Sequence, residues 1–247
     1  MNIERYLRRI DYQGQVDTTA ETLRNLHERH LFTVPFENLD IGRRPIVIDE
    51  AAFVRKVVEE RRGGFCYELN GAFSALLRSL GFDVMLLSAG VARQAGGFGP
   101  EFDHLALLVS ANGERWLADV GFGDSFVRPL RFVTDTDLQD PAGAFRIERD
   151  ADSFIVRWAG KPQYRFLLIP HALDEYAPRC HFHQTSPESS FTQKSVCSLA
   201  TPVGRITLSD RRLITTESGE RTERELSEAE WTNVLRDVFG VTLPRGA

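Results

Sequence analysis

Apolar residues recur at helical spacing through the first 81 residues of the chain. Thr18-x-x-Glu21 has the form of a capping box, which predicts that a helix begins there. Asp49 is a suitable N-cap for a further helix, and the apolar spacing over residues 66–80 predicts another. Because each amphipathic helix needs a partner for its apolar face, we predict a helical bundle over residues 1–83.

From Val84 onward the apolar pattern becomes strand-like. Short apolar runs, mostly separated by turn residues, cover residues 84–87, 105–109, 116–120, 145–147, 154–158 and 164–169. Successive short strands without helices between them are typical of an antiparallel sheet or barrel rather than of βαβ units. We therefore assign residues 84–187 to a β-barrel-like domain.

The remaining segment, residues 188–247, combines both patterns. Strand-like runs at 205–208 and 211–215 precede a closing helix that Ser227-x-x-Glu230 would cap. The predicted buried face of this helix consists of Trp231, Leu235, Val238 and Phe239. The whole pattern predicts an α+β protein of three parts: helical bundle, antiparallel β-barrel-like domain and mixed C-terminal domain.

Charge and apolar content exclude several classes of partner. The 247 residues carry 30 Lys and Arg against 35 Asp and Glu, a formal net charge of -5. Nucleic acid is therefore not expected as the main partner, because phosphate binding needs a concentrated cationic surface. No apolar stretch approaches the roughly 18 residues that cross a bilayer, and the polar start does not resemble a signal peptide. We expect a cytoplasmic protein without a membrane partner.

The three cysteines, Cys66, Cys180 and Cys197, are too few for a disulfide framework and form no CxxC pair, so we expect no zinc or other metal. Cys66 follows Arg61-Arg62-Gly63-Gly64-Phe65 at a predicted helix start. Unpaired N–H groups and the helix dipole favour an anion there, so a thiolate nucleophile would be stabilised. The alternative is a small buried apolar residue, which is the role we expect for Cys180 and Cys197.

A cysteine nucleophile usually needs a base, and His104 is the best placed of six histidines, at the end of a glycine-rich loop over residues 94–103. Asn112-Gly113 is a strong signal for a two-residue hairpin turn, which pairs positions whose numbers sum to 225. Asp119 then lies on the same face as His104, within side-chain reach. The pair indicates either a Cys-His-Asp system with Cys66 or a core histidine bonded to a buried aspartate.

Six short motifs occur along nearly the whole chain. They are Pro35-Phe-Glu-Asn-Leu39, Arg62-Gly-Gly-Phe-Cys66-Tyr-Glu68, Asp103-His104-Leu, Asp119-Val-Gly-Phe-Gly123, Thr185-Ser-Pro-x-Ser-x-Phe191 and Thr201-Pro-x-Gly204. In this order they resemble the arylamine N-acetyltransferase family. The resemblance implies a helical bundle, a β-barrel-like domain and an α/β lid over residues 188–247, with a triad of Cys66, His104 and Asp119 arranged as in cysteine proteases.

The resemblance also implies an activity: N-acetylation of arylamines and arylhydrazines, with acetyl-CoA as co-substrate. By analogy the reaction is ping-pong. Cys66 carries the acetyl group as a thioester, His104 acts as base and Asp119 orients it. The expected partners are acetyl-CoA and a small arylamine or hydrazine acceptor, and a homodimer is left open.

Further residues take expected roles from the same resemblance. Phe36 and Phe122 match positions near the acceptor pocket, although aromatic residues also dominate cores. For acetyl-CoA, Gly97 and Gly99 would let the backbone approach the pantetheine, and the Thr201 hydroxyl would contact a phosphate.

Arg62 is expected to have a structural role. We predict that it pairs with Glu37 or Glu68 and holds the loop before Cys66 in place. Three alternative activities stay open on the same residues: an amide synthase that closes a macrocycle, a thiol hydrolase or transglutaminase-like enzyme, and a binding protein that has lost catalysis.

Overall fold

A computed structural model describes residues 1–243. Four helices surround one apolar core in the N-terminal part: α1 (Ile3–Arg9), α2 (Ala20–Thr33), α3 (Glu50–Val58) and α4 (Cys66–Ser79), with the short strand β1 (Phe36–Glu37) after α2. Residues 66–77 of α4 are all buried, so this helix forms the centre of the bundle. The N-terminal part of the chain is thus helical, as predicted.

The helix caps agree with the sequence pattern except at α2. Asp49 accepts the N–H of Ala51, as predicted for α3. At α2 the capping residue is Thr19, whose hydroxyl oxygen accepts the N–H of Thr22, and the prediction of Thr18 is wrong by one residue. Asp17 explains the difference, because it accepts a hydrogen bond from the Thr19 hydroxyl at 2.6 Å and fixes that side chain at the helix start.

The middle of the chain forms one antiparallel sheet of eight strands. They are β2 (Asp83–Val91), β3 (His104–Ala111), β4 (Glu114–Ala118), β5 (Leu130–Arg131), β6 (Asp137–Asp140), β7 (Gly143–Asp150), β8 (Ser153–Trp158) and β9 (Lys161–Leu167). Their order is β5-β4-β3-β2-β9-β8-β7-β6. The sheet is nearly closed into a barrel, because the N–H groups of Val127 and Arg128, just before β5, donate to Asp140 in β6 at 3.0 and 2.8 Å.

The hairpin between β3 and β4 has the predicted register. Ala111 pairs with Glu114 and Leu107 with Ala118, while Asn112 and Gly113 both have positive φ in the turn. The strand ends at Ala118 rather than at the predicted residue 120. Beyond it, the backbone N–H groups leave the ladder and donate to side chains of the helical bundle.

The last part of the chain forms a second antiparallel sheet, which β1 completes. Its order is β1-β10-β11-β12-β13, with β10 (Val196–Thr201), β11 (Gly204–Ser209), β12 (Arg212–Glu217) and β13 (Glu220–Glu225). A 3₁₀ turn (Leu173–Tyr176), α5 (Ala177–Thr185) and the short α6 (Ser190–Gln193) connect the two sheets, and α7 (Glu228–Asp237) closes the chain. Residues 244–247 of the predicted lid lie outside the described residues, and the division into three domains stays a prediction.

The closing helix α7 packs on one face of the second sheet. Ser227 and Glu230 form the predicted capping box. Leu235 and Phe239 are buried, but Val238 is 37% exposed, so its predicted burial is wrong. The residues at spacings of four, 231, 235 and 239, form a narrow stripe, and Val238 lies beside it. None of the helices in residues 1–243 has the length and apolarity needed to cross a bilayer.

Candidate active site

Cys66 is the first residue of α4, and its side chain is only 3% exposed. Burial raises the pKa of this thiol well above its ordinary value, while a hydrogen bond from the Leu105 backbone N–H lowers it. Desolvation thus opposes the stabilisation of a thiolate that we expect from the helix start, and that expectation stays a prediction. An anionic sulfur at this position needs a cation beside it.

His104 and Asp119 form a buried pair. The His104 Nε2 atom lies 2.7 Å from Asp119 Oδ2, which is the contact that the hairpin register led us to expect. Burial raises the pKa of Asp119, but the charge of His104 and the hydrogen bonds from His104, Asn70 and Gly121 outweigh it and lower that pKa. Asp119 is thus an ionised carboxylate that is hydrogen-bonded to the imidazole.

Asn70 links this pair to α4, and sequence analysis missed it. It lies one turn after Cys66, and its Nδ2 donates to the Leu105 carbonyl at 2.6 Å and to Asp119 Oδ1 at 2.8 Å. Its Oδ1 accepts the N–H of Val120 at 2.9 Å. One side chain therefore ties the helix that begins at Cys66 to the start of β3 and to the residues just after β4. The signal available in the sequence was an amide at helical spacing from Cys66 within an apolar helix.

The loop after Asp119 passes directly over Cys66. A Cβ atom on Gly121 would lie 2.8 Å from the Cα of Cys66, so only glycine fits this approach. The Phe122 ring stands perpendicular to the His104 ring with 5.2 Å between centroids. Gly123 lies against the Phe36 ring, 3.4 Å from where a Cβ would be. Both predicted acceptor-pocket aromatics, Phe36 and Phe122, therefore belong to the surroundings of this loop.

Tyr164 is a second neighbour that sequence analysis did not single out. Its ring centroid lies 5.1 Å from that of His104 and 5.2 Å from that of Phe122. Burial and the nearby Asp119 carboxylate raise the pKa of its phenol well above the ordinary value. The His104 imidazole is thus enclosed by two aromatic rings and one carboxylate.

A buried cluster of charges lies behind the start of α4. Arg62 Nη2 is 2.8 Å from Glu37 Oε1 and 2.9 Å from Asp40 Oδ1. Lys56 Nζ is 2.8 Å from Asp40 Oδ2 and 2.7 Å from Glu68 Oε1. Of the two predicted partners, Arg62 contacts Glu37, whereas Glu68 pairs with Lys56. Burial raises the pKa of Asp40, but the charges of Lys56 and Arg62 outweigh it and lower that pKa to about 2.

The residues proposed for acetyl-CoA lie in different parts of the fold. Gly97 has positive φ and open space where a side chain would be. Glycine at position 99 has a local structural explanation, because a side chain there would overlap the carboxylate of Asp103. Thr201 ends β10 in the second sheet, and its hydroxyl oxygen is buried without a hydrogen-bond partner among residues 1–243.

The loop before His104 is anchored by residues that the sequence pattern did not reveal. Tyr67 donates its hydroxyl to the Phe102 carbonyl at 2.6 Å, and Arg179 Nε of α5 donates to Asp103 Oδ1 at 2.8 Å. Gly99 also borders a cavity of about 370 Å³ beside this loop, with Arg165 and His171 among its lining residues. In the part of the chain that the structure describes, no His, Cys, Asp and Glu side chains group in a way that would hold a metal ion.

Comparisons with known proteins place the chain in a family. The family model described as N-acetyltransferase matches residues 19–247. The arylamine N-acetyltransferase of Escherichia coli (strain K12) is 33% identical over 97% of this chain and 88% of its own length. The arylamine N-acetyltransferase structure from Salmonella typhimurium superposes with a TM-score of 0.92 at 29% identity, covering 99% of this chain and 94% of that one.

A further solved structure carries a ligand. The Mycobacterium marinum arylamine N-acetyltransferase in complex with CoA has a TM-score of 0.89 and 29% identity, covering 97% of this chain and 92% of that one. Similarity thus extends over nearly the full length of each protein. The chain belongs to the arylamine N-acetyltransferase family and is a transferase.

Proposed function

We propose that this protein transfers the acetyl group of acetyl-CoA to the nitrogen of arylamines and arylhydrazines through an acetyl-Cys66 thioester. The observation that carries the proposal is the buried His104–Asp119 pair, which Asn70 ties to the helix that begins at Cys66. The CoA complex of the Mycobacterium marinum relative supports acetyl-CoA as the donor.

In the first half of the reaction, His104 takes the proton of the Cys66 thiol. The Asp119 carboxylate stabilises the imidazolium that forms, and this cation offsets the cost of an anionic sulfur in a buried position. The thiolate attacks the acetyl carbonyl carbon, a carbon–sulfur bond forms to Cys66, and the bond to the CoA sulfur breaks. CoA leaves with the proton from His104 as a free thiol.

In the second half, the acceptor nitrogen attacks the acetyl carbon of the Cys66 thioester. His104 accepts a proton from the nitrogen as the carbon–nitrogen bond forms, and the Cys66 sulfur leaves and is protonated again. The products are the N-acetylated acceptor and the original enzyme. Phe36 and Phe122 would form aromatic walls for a flat acceptor and exclude water, which competes for the thioester.

The remaining parts of the proposal concern binding and location. Gly97, Gly99 and Thr201 are proposed contacts of acetyl-CoA, supported by the open space at Gly97 and the unpaired Thr201 hydroxyl within the described residues. Arg62 and Glu37 are proposed to hold the loop before Cys66. The cytoplasmic location stays a prediction.

The test follows release of the free CoA thiol from acetyl-CoA, with and without an arylamine. We expect release to depend on the amine and to be lost in Cys66→Ser but kept in Cys180→Ala, a control at another buried cysteine. Equal release with and without amine would identify a thiol hydrolase. Absence of turnover with arylamines would contradict the proposal and leave the amide synthase and the binding protein that has lost catalysis. Turnover by Cys66→Ser would contradict Cys66 as the nucleophile.

A further inference from the structure

We propose that His27 is a positioning residue that holds both ends of the loop over residues 119–127 and thereby sets the orientation of Asp119. The inference rests on the proposed function, because it assigns a purpose to the geometry around Asp119. His27 lies on α2, far from this loop in sequence, and its side chain is completely buried.

Two hydrogen bonds connect the His27 ring to the loop. Its Nε2 accepts the backbone N–H of Asp119 at 3.0 Å, and its Nδ1 lies 2.8 Å from the carbonyl oxygen of Val127. An N–H must donate and a carbonyl must accept, so both bonds form only when His27 is neutral with its proton on Nδ1. Burial favours this neutral form, because it lowers the pKa of His27.

The first of these bonds takes over where the β ladder stops. The pairing of β3 with β4 ends at Ala118, so the Asp119 N–H has no partner in the sheet. A buried N–H without a partner is costly, and His27 supplies the acceptor. The direction in which the chain leaves β4, and with it the direction of the Asp119 carboxylate toward His104, therefore depends on this ring.

The loop that His27 closes contains the other contacts of the site. Between its ends, Gly121 lies over Cys66 and Phe122 packs against His104. The ring itself is fixed by packing, since Phe126 of the same loop stacks on it at 5.8 Å and Phe73 of α4 meets it edge-on at 6.0 Å. Movement of the His27 imidazole would thus displace both the Asp119 carboxylate and the Phe122 ring.

Three substitutions distinguish the contributions of the two His27 hydrogen bonds. His27→Phe keeps a ring but removes both bonds. The longer His27→Gln can place its carbonyl oxygen near the Nε2 position and accept the Asp119 N–H, whereas His27→Asn reaches only the Nδ1 position and can donate to Val127. The control is His30→Gln on the same helix, because His30 is equally buried and contacts Phe73 but bonds to Tyr6 rather than to the loop.

The readout is the pH dependence of Cys66 alkylation by iodoacetamide, followed on the Cys66 peptide by mass. Asp119 and Asp140 are the charged groups near His27, and His30 is the other titratable group beside it. A displaced Asp119 stabilises the His104 cation less well, so we expect His27→Phe to alkylate about tenfold more slowly at neutral pH, with a midpoint moved to higher pH. His27→Gln should retain more of the wild-type behaviour than His27→Asn.

A purely structural role would lower thermal stability without changing this profile, as we expect for His30→Gln. Folded His27→Phe with the wild-type profile would overturn the inference. If His27→Phe does not fold, the Gln and Asn variants decide, and Gln no better than Asn would also overturn it. Alkylation needs no acetyl-CoA, so a protein that shows these effects but takes no acetyl group contradicts the proposed function and not the role of His27.

Discussion

At the scale of single residues, burial determines what Cys66 and its neighbours can do. A buried thiol resists ionisation, and we propose that the His104–Asp119 pair supplies the cation that an anionic sulfur needs. The buried charges around Arg62 differ from the Cys66 thiol, because they are ionised and already paired with one another. We propose that they hold the loop before Cys66.

The Arg62 cluster gives a prediction about stability. Arg62→Lys keeps the charge but loses the forked geometry in which Nε and Nη2 both contact Glu37 and Nη2 also contacts Asp40. We expect the free energy of unfolding to fall by about 2 kcal/mol and Tm by about 4–8 °C. The kcat/KM of the folded protein should stay within about threefold of wild type, because Arg62 only supports the site.

The matched control is Arg44→Lys. The Arg44 side chain is 45% exposed, so we expect the free energy of unfolding to fall by less than about 1 kcal/mol. Calorimetry and steady-state kinetics on both variants decide the matter. If Arg62→Lys melted like wild type and lost activity, Arg62 would belong to the reaction and not to its support.

At the scale of elements, local signals predicted the hairpin well and the loop after it poorly. The Asn112-Gly113 turn has a strong conformational preference, so the register that brings Asp119 toward His104 could be derived from the sequence. Asn70 and His27 could not be assigned, since their partners lie 35 or more positions away in sequence. The wrong prediction that Val238 is buried has a similar cause. The sequence pattern shows the apolar side of the closing helix but not how much of that side the second sheet covers.

The contact between the loop and α4 gives a second prediction. In Gly121→Ala the new Cβ would lie 2.8 Å from the Cα and 3.0 Å from the carbonyl oxygen of Cys66, and neither backbone atom can swing aside. We expect a loss of about 1–3 kcal/mol in stability. Activity of the folded protein should fall about hundredfold, because small displacements of reacting groups are costly in rate.

Gly113→Ala serves as the control for this variant. Gly113 has positive φ and open space around it in the hairpin turn, so alanine there costs about 1 kcal/mol through backbone strain. Stability of the control should fall while kcat/KM, measured well below Tm, stays at the wild-type value. Full activity of Gly121→Ala would mean that the close approach to Cys66 does not position the site.

At the scale of the whole molecule, the motifs predicted the family and its mixed helical and sheet fold, but not how its parts join. The six motifs include Pro35-Phe-Glu-Asn-Leu39, yet nothing local in it indicates that Phe36 and Glu37 form the edge strand of the C-terminal sheet. Such pairing joins a short strand without a periodic signal to Cys197 and Ser198, far away in sequence. The burial of Cys66 is likewise a property of the assembled fold rather than of its helix.

We expect this assembly to make Cys66 the carrier of the acetyl group. The decisive measurement is the intact mass of the protein after mixing with acetyl-CoA and no acceptor. We predict a gain of one acetyl group, which is absent in Cys66→Ser, forms much more slowly in folded His104→Gln, and is removed when an arylamine is added. An unchanged mass for the wild-type protein, or the same gain in Cys66→Ser, would show that Cys66 does not carry the acetyl group.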